Sequence, residues 1–316
     1  MKNIGVFTGS AHPEFAREVC GTLGLDLSPT NIERFSNDCL QVQLTENCRQ
    51  RDIYIVQPLV PPVQEHLMEL MLMLNAAQGA SAAQVTAVIP HFSYARSDKK
   101  DAPRISIGGR LVADLLATAG ASRVLTMTLH APQVHGFFGV PVDHLTAIPE
   151  LARHYQGRDL TDTVVVSPDL GNAKPATQFA RRLDLPVAAG SKRRLADDTV
   201  EIDAIVGDVE GKNVIVLDDE IATAGSIVKL LERLREQRVK DISLACTHGL
   251  FTGKAISRLS EQSDVSEIVT TNTVPLPLEK QLPHLETRSV APLFAEAIKR
   301  IHVGESVSAL FSPGDV

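Results

Sequence analysis

The sequence lacks the cysteine spacing of a zinc-binding or disulfide-rich protein. Its four cysteines, at positions 20, 39, 48 and 246, form no CxxC pair. They therefore predict neither a metal site nor a disulfide framework, and a reducing compartment is expected. The N-terminal stretch MKNIGVFTGS turns polar too early for a signal peptide. From these absences we expect a cytoplasmic protein.

Long apolar runs and excess positive charge are also missing. The longest apolar run, around residues 67–77, is interrupted by Glu69 and Asn75, so it predicts a core helix and not a membrane span. The 31 Lys and Arg residues against 38 Asp and Glu residues give a net charge of −7. Proteins that bind nucleic acid or anionic membranes are normally basic, so neither partner is expected. Any polyanion that binds must contact a local basic cluster.

What the sequence does have is the length and composition of an ordinary globular protein. Its 316 residues fit about two domains of ~150 residues each. The hydrophobic share of 44% and the charged share of 22% exclude a disordered or collagen-like chain. Short β-branched runs alternate with helical patterns throughout, which favours an α/β fold with mainly parallel sheets flanked by helices. Two such units are predicted to meet near residues 141–149.

Alternating elements are predicted in both halves of the chain. In open α/β sheets, ligands bind beyond the carboxyl ends of strands, so the residues that follow each strand are the candidate site residues. The first predicted helix begins at Pro13. The other predicted elements are strands at 4–8, 52–56, 85–89, 123–129, 163–166, 186–189, 213–217, 242–246 and 267–271, and helices at 63–78, 111–119, 173–183 and 227–234.

The strongest functional signal is the segment 213–226, which reads NVIVLDDEIATAGS. An apolar strand ends in Asp218 and Asp219, whose carboxylates can accept hydrogen bonds from neighbouring sugar hydroxyls. The free backbone N–H groups at the start of the next helix attract phosphate oxygens, and Gly225 allows a close approach. These features predict a sugar-phosphate site. An ordinary acidic helix N-terminus is the minority alternative, and no GxxxxGK(S/T) phosphate loop occurs.

This segment resembles the phosphoribosyl-diphosphate (PRPP) binding motif of type I phosphoribosyltransferase folds. Other segments narrow the resemblance to the ribose-phosphate diphosphokinase family, also called PRPP synthetases, over essentially the whole chain. The resemblance implies two tandem type I phosphoribosyltransferase-like domains, at 1–145 and 146–302, with the tail 303–316 packing on the first. The similar segments are FTGS at 7–10, PHFSYARSDKKD at 90–101, LHAPQVHGFF at 129–138, SPD at 167–169, THG at 247–249 and GESVSALF at 304–311.

The resemblance also implies an activity. The family transfers the β,γ-diphosphate of ATP to the 1-hydroxyl of ribose 5-phosphate, giving PRPP and AMP. PRPP supplies nucleotide (purine, pyrimidine and NAD), histidine and tryptophan biosynthesis. The implied cofactor is Mg²⁺, the implied ligands are ATP and ribose 5-phosphate, and the implied assembly is a homo-oligomer, a hexamer built from dimers. The residues that match the ribose 5-phosphate site are Asp218, Asp219, Ala222, Thr223, Ala224, Gly225 and Ser226.

The remaining site residues also follow from the resemblance. Lys192 and Arg194 match residues of a flexible loop that closes over the transferring group, where cations stabilise the charge of the transition state. His130 and Asp169 match the metal site. The residues that match the ATP site are Phe35, Asn37, Arg96 and Asp101. Many family members carry an acidic residue where this chain has Cys39, Thr128 and Ala222.

Two other functions compete with an active synthetase. A catalytically silent regulatory subunit of the same fold would be expected to lose some of the residues at 130, 169, 192 and 194, and this chain retains all four. A phosphoribosyltransferase would consume PRPP. The basic segment 90–101 and the two-domain length argue against that function. Fold alone does not decide among the three.

Overall fold

The structure is a computed structural model that describes residues 3–196 and 199–311, and it leaves the side chains of 192–203 undescribed. Five parallel strands form the first sheet, in the order β1-β4-β5-β6-β7. A separate antiparallel hairpin, formed by β2 and β3, connects β1 to β4. The elements of this half are β1 (Ile4–Thr8), α1 (Pro13–Leu23), β2 (Thr30–Arg34), β3 (Leu40–Leu44), β4 (Asp52–Val56), α2 (Val63–Gly79), β5 (Gln84–Ile89), α3 (Gly108–Ala119), β6 (Arg123–Met127) and β7 (Val142–Leu145).

Helices cover both faces of this sheet. Successive side chains of a strand point to opposite faces. Accordingly, Ile53 and Ile55 of β4 pack in the core with α2 and α3, whereas Tyr54 and Val56 pack in the core with α1. A strand buried on both faces has to be apolar at every position, which explains the continuous apolar runs in the sequence.

The second sheet has seven strands in the order β10-β9-β8-β11-β12-β13-β14. All neighbouring strands are parallel except β9 and β10, which form an antiparallel hairpin at one edge. Its elements are α4 (Ile148–Tyr155), β8 (Thr163–Ser167), α5 (Ala173–Leu183), β9 (Val187–Ala196), β10 (Thr199–Val206), β11 (Asn213–Ile221), α6 (Gly225–Glu236), β12 (Asp241–Gly249), α7 (Ala255–Ser260), β13 (Val265–Thr271) and β14 (Leu285–Arg288).

The last helix, α8 (Ala291–Val303), returns to the first sheet and packs on α1. The Phe294 ring meets the Phe15 ring edge to face, with 5.3 Å between centroids. His302 Nδ1 lies 2.6 Å from Asp52 Oδ2 at the start of β4. Helix α8 therefore packs against the first half of the chain, although it precedes the tail 303–316 that was predicted to pack there. The division into domains at 145 and 302 stays a prediction.

The predicted α/β architecture is confirmed, with differences at the strand ends. The strand predicted at 213–217 continues to Ile221 because β12 pairs with it as far as Gly249. The strand predicted at 123–129 ends at Met127, since Thr128 has a φ of 43° and leaves extended geometry. The β2–β3 hairpin was not predicted, and a charged hairpin at 192–194 was only the alternative to the flexible loop that the family resemblance implies. Among the described helices, none is long and apolar enough to cross a bilayer.

Candidate active site

A cleft of about 510 Å³ opens where the carboxyl ends of strands from both sheets meet. The segment after β5 contributes Arg96 and the segment after β6 contributes His130. From the second sheet, Asp169 follows β8, while Asp218 and Asp219 lie on β11. Parallel strands bring their carboxyl ends to one edge, so residues distant in sequence line a single cavity. The structure thus brings together predicted residues from three groups: ATP, metal and ribose 5-phosphate.

The two adjacent carboxylates on β11 are held by hydrogen bonds. Asn172 Nδ2 donates to Asp218 Oδ1 at 3.2 Å, and His130 Nδ1 donates to Asp219 Oδ2 at 2.7 Å. Burial alone would raise the pKa of Asp219, but hydrogen bonds with His130 and Asp218 lower it to about 2. The bond to Asp219 raises the pKa of His130, against the effect of its burial. Asp219 is therefore ionised at neutral pH and can accept hydrogen bonds from a ligand.

The turn between β11 and α6 presents backbone N–H groups to this cleft. Ala222, Thr223, Ala224 and Ser226 line the cleft, and Gly225 begins helix α6. Ala224 has a φ of 59° and caps the helix without a side-chain hydrogen bond. The first N–H groups of α6 therefore have no capping side chain and can bind an anion. The phosphate-binding role that the sequence predicts for this turn stays a prediction.

The predicted metal-site residues, His130 and Asp169, both line the cleft. Asp169 Oδ1 also accepts the backbone N–H of Asn172 at 2.9 Å. Within residues 3–196 and 199–311, no three His, Cys, Asp or Glu side chains are grouped closely enough to hold a metal ion by themselves. Mg²⁺ typically takes one or two carboxylates and completes its shell with water and phosphate oxygens. The carboxylates of the cleft fit such an ion, because they are hard oxygen donors.

A buried contact between a histidine and Glu220, which lines the cleft, was not predicted. His91, just after β5, donates from Nε2 to Glu220 Oε2 at 3.0 Å, and its Nδ1 lies 3.0 Å from the carbonyl oxygen of Leu59. Both ring nitrogens of His91 therefore lie within hydrogen-bond distance of an oxygen atom. Burial would raise the pKa of Glu220, but the bond from His91 lowers it overall. Arg96 Nη1 lies 3.4 Å from the other Glu220 oxygen.

The sequence contained part of the signal for this contact. Glu220 directly follows the two assigned acids, and His91 lies in the basic segment 90–101. Their contact could not be predicted, since it joins strands of two different sheets. Asn172 was missed because its contact with Asp218 joins the ends of two strands, β8 and β11, that are 46 residues apart in sequence. Arg258, whose Nη1 donates to the Thr223 carbonyl at 2.8 Å, has no sequence signal.

Three predicted ATP-site residues do not line the described cleft. Phe35 lies at the exposed tip of the β2–β3 hairpin, where 47% of its surface is accessible. Asn37 lies in the same turn and its Oδ1 accepts the N–H of Cys39 at 3.2 Å. Asp101 is exposed and lies 3.9 Å from Lys99 Nζ. These assignments stay predictions.

The predicted catalytic residues, Lys192 and Arg194, belong to the β9–β10 hairpin. Lys192 pairs with Ile202 and Arg194 with Val200. Their backbones are therefore extended, whereas the sequence predicted a loop. Their side chains lie outside the described part of the chain, so their catalytic role stays a prediction.

The fold and the cleft define an α/β protein with a polar cleft between two mainly parallel sheets. Residues 4–120 match the family model for the N-terminal domain of ribose phosphate pyrophosphokinase, and residues 200–312 match the phosphoribosyl synthetase-associated domain. A Streptomyces coelicolor protein is 64% identical over 311 residues, which is 98% of each chain. The ribose-phosphate pyrophosphokinase of Deinococcus radiodurans is 51% identical, over 97% of each chain.

A solved structure leads to the same family as the sequence comparisons. The phosphoribosylpyrophosphate synthetase of Mycobacterium smegmatis superposes with a TM-score of 0.90 at 38% identity, covering 96% of this chain and 100% of that one. The chain therefore belongs to the ribose-phosphate pyrophosphokinase family and is an enzyme of that family. The family resemblance predicted from the sequence is confirmed.

Proposed function

We propose that the enzyme transfers the β,γ-diphosphate of ATP to the 1-hydroxyl of ribose 5-phosphate, giving PRPP and AMP. The observation that carries this proposal is the arrangement of the cleft. One part of it is lined by Asp218, by the ionised Asp219 and by the uncapped start of α6, and another part by the cations Arg96 and Lys99. Such a cleft suits a sugar phosphate beside a polyphosphate. The family relationship supports the same pair of substrates.

The ribose 5-phosphate side follows from the acid pair and the turn. Asp218 and Asp219 would accept hydrogen bonds from the 2- and 3-hydroxyls, which orients the ring. The N–H groups of Gly225 and Ser226, with the Thr223 hydroxyl, would hold the 5-phosphate. A ribose fixed at both ends places its 1-hydroxyl in one position. Positioning of this kind supplies a large share of the rate in phosphoryl transfer.

The nucleotide side follows from the basic segment after β5. Arg96 offers forked donors and Lys99 a point charge to the ATP phosphates. His130 and Asp169 would hold Mg²⁺, which supplies charge neutralisation of the diphosphate when bound. Lys192 and Arg194 would reach the transferring group from the β9–β10 hairpin and exclude water from it. Asp101 would add a contact to the nucleotide.

We also propose a homo-oligomer, a hexamer built from dimers, in which the adenine site is completed by a second copy. Phe35 and Asn37 lie on an exposed hairpin and away from the cleft of their own chain, so they are free to contact a neighbour. Leu111 and Leu115 on α3 are 57% and 38% exposed, and apolar side chains of this size favour burial in an interface. The PRPP made would supply nucleotide, histidine and tryptophan biosynthesis.

One assay tests the reaction. The protein is incubated with Mg²⁺, ATP and ribose 5-phosphate, and the nucleotide products are separated. AMP and PRPP forming in equal amounts is the expected result, and ADP as the product would contradict it.

The double variant Asp218→Asn with Asp219→Asn should raise the KM for ribose 5-phosphate by at least about 100-fold, because charged hydrogen bonds to both hydroxyls are lost. An unchanged KM would remove the acid pair from the ribose site.

A further inference from the structure

The turn 222–224 is fixed from one side by the segment between β12 and α7. Three successive carbonyl oxygens, from the last residue of β11 onwards, accept hydrogen bonds from this segment and from α7. The Phe251 N–H donates to Ile221 at 3.1 Å, and the Thr252 N–H donates to Ala222 at 2.8 Å. The third donor is the side chain of Arg258 on α7, whose Nη1 lies 2.8 Å from the Thr223 oxygen. This arginine is the only side chain among the three donors.

The direction of these bonds determines what the turn offers to a ligand. Because the carbonyl oxygens point towards the β12–α7 segment, the opposite side of the turn is left for N–H groups. The turn also places Ala224 at a φ of 59°, which costs an L-residue other than glycine about 1 kcal/mol or more. A conformation of this kind persists only where its surroundings hold it. Arg258 is one of the groups that hold it.

The guanidinium group of Arg258 also lies close to the start of α6. A Cβ added at Gly225 would lie 3.4 Å from Arg258 Nη1. Among the described residues, no carboxylate forms an ion pair with Arg258. Its positive charge lies beside the start of α6 and adds to the attraction for an anion there.

We propose that Arg258 is a positioning residue for the phosphate group of ribose 5-phosphate. It holds the Thr223 carbonyl from behind the turn, keeps the first N–H groups of α6 directed into the cleft, and contributes positive charge without touching the substrate. This role rests on the proposed function, since it assumes that the turn binds the sugar phosphate. It predicts that loss of Arg258 raises the KM for ribose 5-phosphate and leaves the KM for ATP unchanged.

The test is a comparison of kinetic constants for Arg258→Gln. The KM for ribose 5-phosphate should rise about tenfold, while the KM for ATP and kcat stay within about twofold of the wild-type values. Arg258→Lys keeps a point charge but loses the forked donor, so its KM should fall between those of wild type and Arg258→Gln. Arg235→Gln is the matched control. Arg235 lies in the last turn of α6, pairs with Asp264 and is far from the turn, so its KM values should not change.

Two outcomes would overturn the proposal. One is a ribose 5-phosphate KM within about twofold of wild type for Arg258→Gln; the other is an equal rise in both KM values, which indicates general damage. If Arg258→Gln does not fold, Arg258→Met retains the packing of the aliphatic stem and is judged by the same criteria. Ribose 5-phosphate binding measured by calorimetry without ATP separates this role from the reaction. A wild-type enzyme that binds ribose 5-phosphate but makes no AMP would contradict the proposed function and leave the Arg258 comparison intact.

Discussion

His144 on β7 is a histidine whose structural role depends on its being neutral. Its Nε2 accepts the backbone N–H of Leu129 at 2.9 Å, and it can do so only when Nε2 carries no proton. Burial, together with the nearby His135, lowers the pKa of His144 to about 4. The bond holds the segment that leads to His130 in the cleft. From the sequence alone this histidine had no assigned function.

The lowered pKa predicts a loss of stability in acid. The folded pKa of about 4 lies below the ordinary value of ~6.5, so the contribution of His144 is complete above about pH 6.5 and is lost as the pH falls towards 4. His144→Gln can accept the same N–H and does not titrate. We expect its free energy of unfolding to fall by about 1–2 kcal/mol less than that of wild type between pH 7 and pH 5. Urea unfolding at both pH values measures this.

The control for this experiment is His284→Gln, since His284 is exposed. Its stability should follow the wild-type pH dependence. An equal loss of unfolding free energy between pH 7 and pH 5 in wild type and in His144→Gln would show that His144 does not stay neutral in the folded protein.

At the scale of elements, the paired edge of the second sheet differs from its sequence-based prediction. Residues 192–194 form part of β9 because β10 pairs with them, and this pairing depends on residues 199–206 folding back. The partner strand begins only three residues after β9 ends, but the three consecutive cations at 192–194 break the apolar alternation by which a strand is predicted. By contrast, β11 was predicted correctly over 213–217, since its apolar run is continuous, and only its acidic end was missed.

Removal of one cation from this hairpin should slow the chemical step. We expect Lys192→Ala to lower kcat by roughly 10²–10³-fold, because a cation aimed at the transferring diphosphate is lost. The thermal midpoint should change by no more than a few degrees. Steady-state turnover and circular dichroism measure the two effects.

Lys212→Ala provides the matched control. Lys212 lies just before β11 and pairs with Asp208 at 2.8 Å. Lys212→Ala removes the same charge from the same half of the chain, and the kcat of this variant should equal that of wild type. Near-normal turnover in Lys192→Ala would remove Lys192 from the mechanism.

At the scale of the whole molecule, the two sheets are joined by contacts that meet at the cleft. One hydrophobic cluster includes side chains of both sheets, with α1, α4, α5 and α8 between them. His248 Nε2 donates to the Thr128 carbonyl at 3.0 Å, and His91 pairs with Glu220. These contacts cross from one sheet to the other. The cleft is therefore assembled only when both halves of the chain are folded.

The buried pair between His91 and Glu220 should couple the stability of the two halves. Glu220→Gln removes the carboxylate that bonds to His91, and loss of the charged partner of a buried hydrogen bond typically costs about 1–3 kcal/mol of unfolding free energy. Replacing both residues, as in His91→Gln with Glu220→Gln, should cost less than the sum of the single changes. A double-mutant cycle in urea measures this coupling, for which we expect at least ~1 kcal/mol. Strictly additive effects would mean that the two groups do not interact.

The sequence by itself determined the alternation of strands and helices, the acid pair that precedes the turn into the next helix, and the family. These features are local, because apolar periodicity and short motifs are written in consecutive residues. The tertiary structure alone decided the contacts of His130 with Asp219, His91 with Glu220 and Arg258 with Thr223. Each of these pairs lies far apart in sequence and meets only where strand ends converge. Such contacts form only when one element packs on another, and they cannot be predicted from a pattern in consecutive residues.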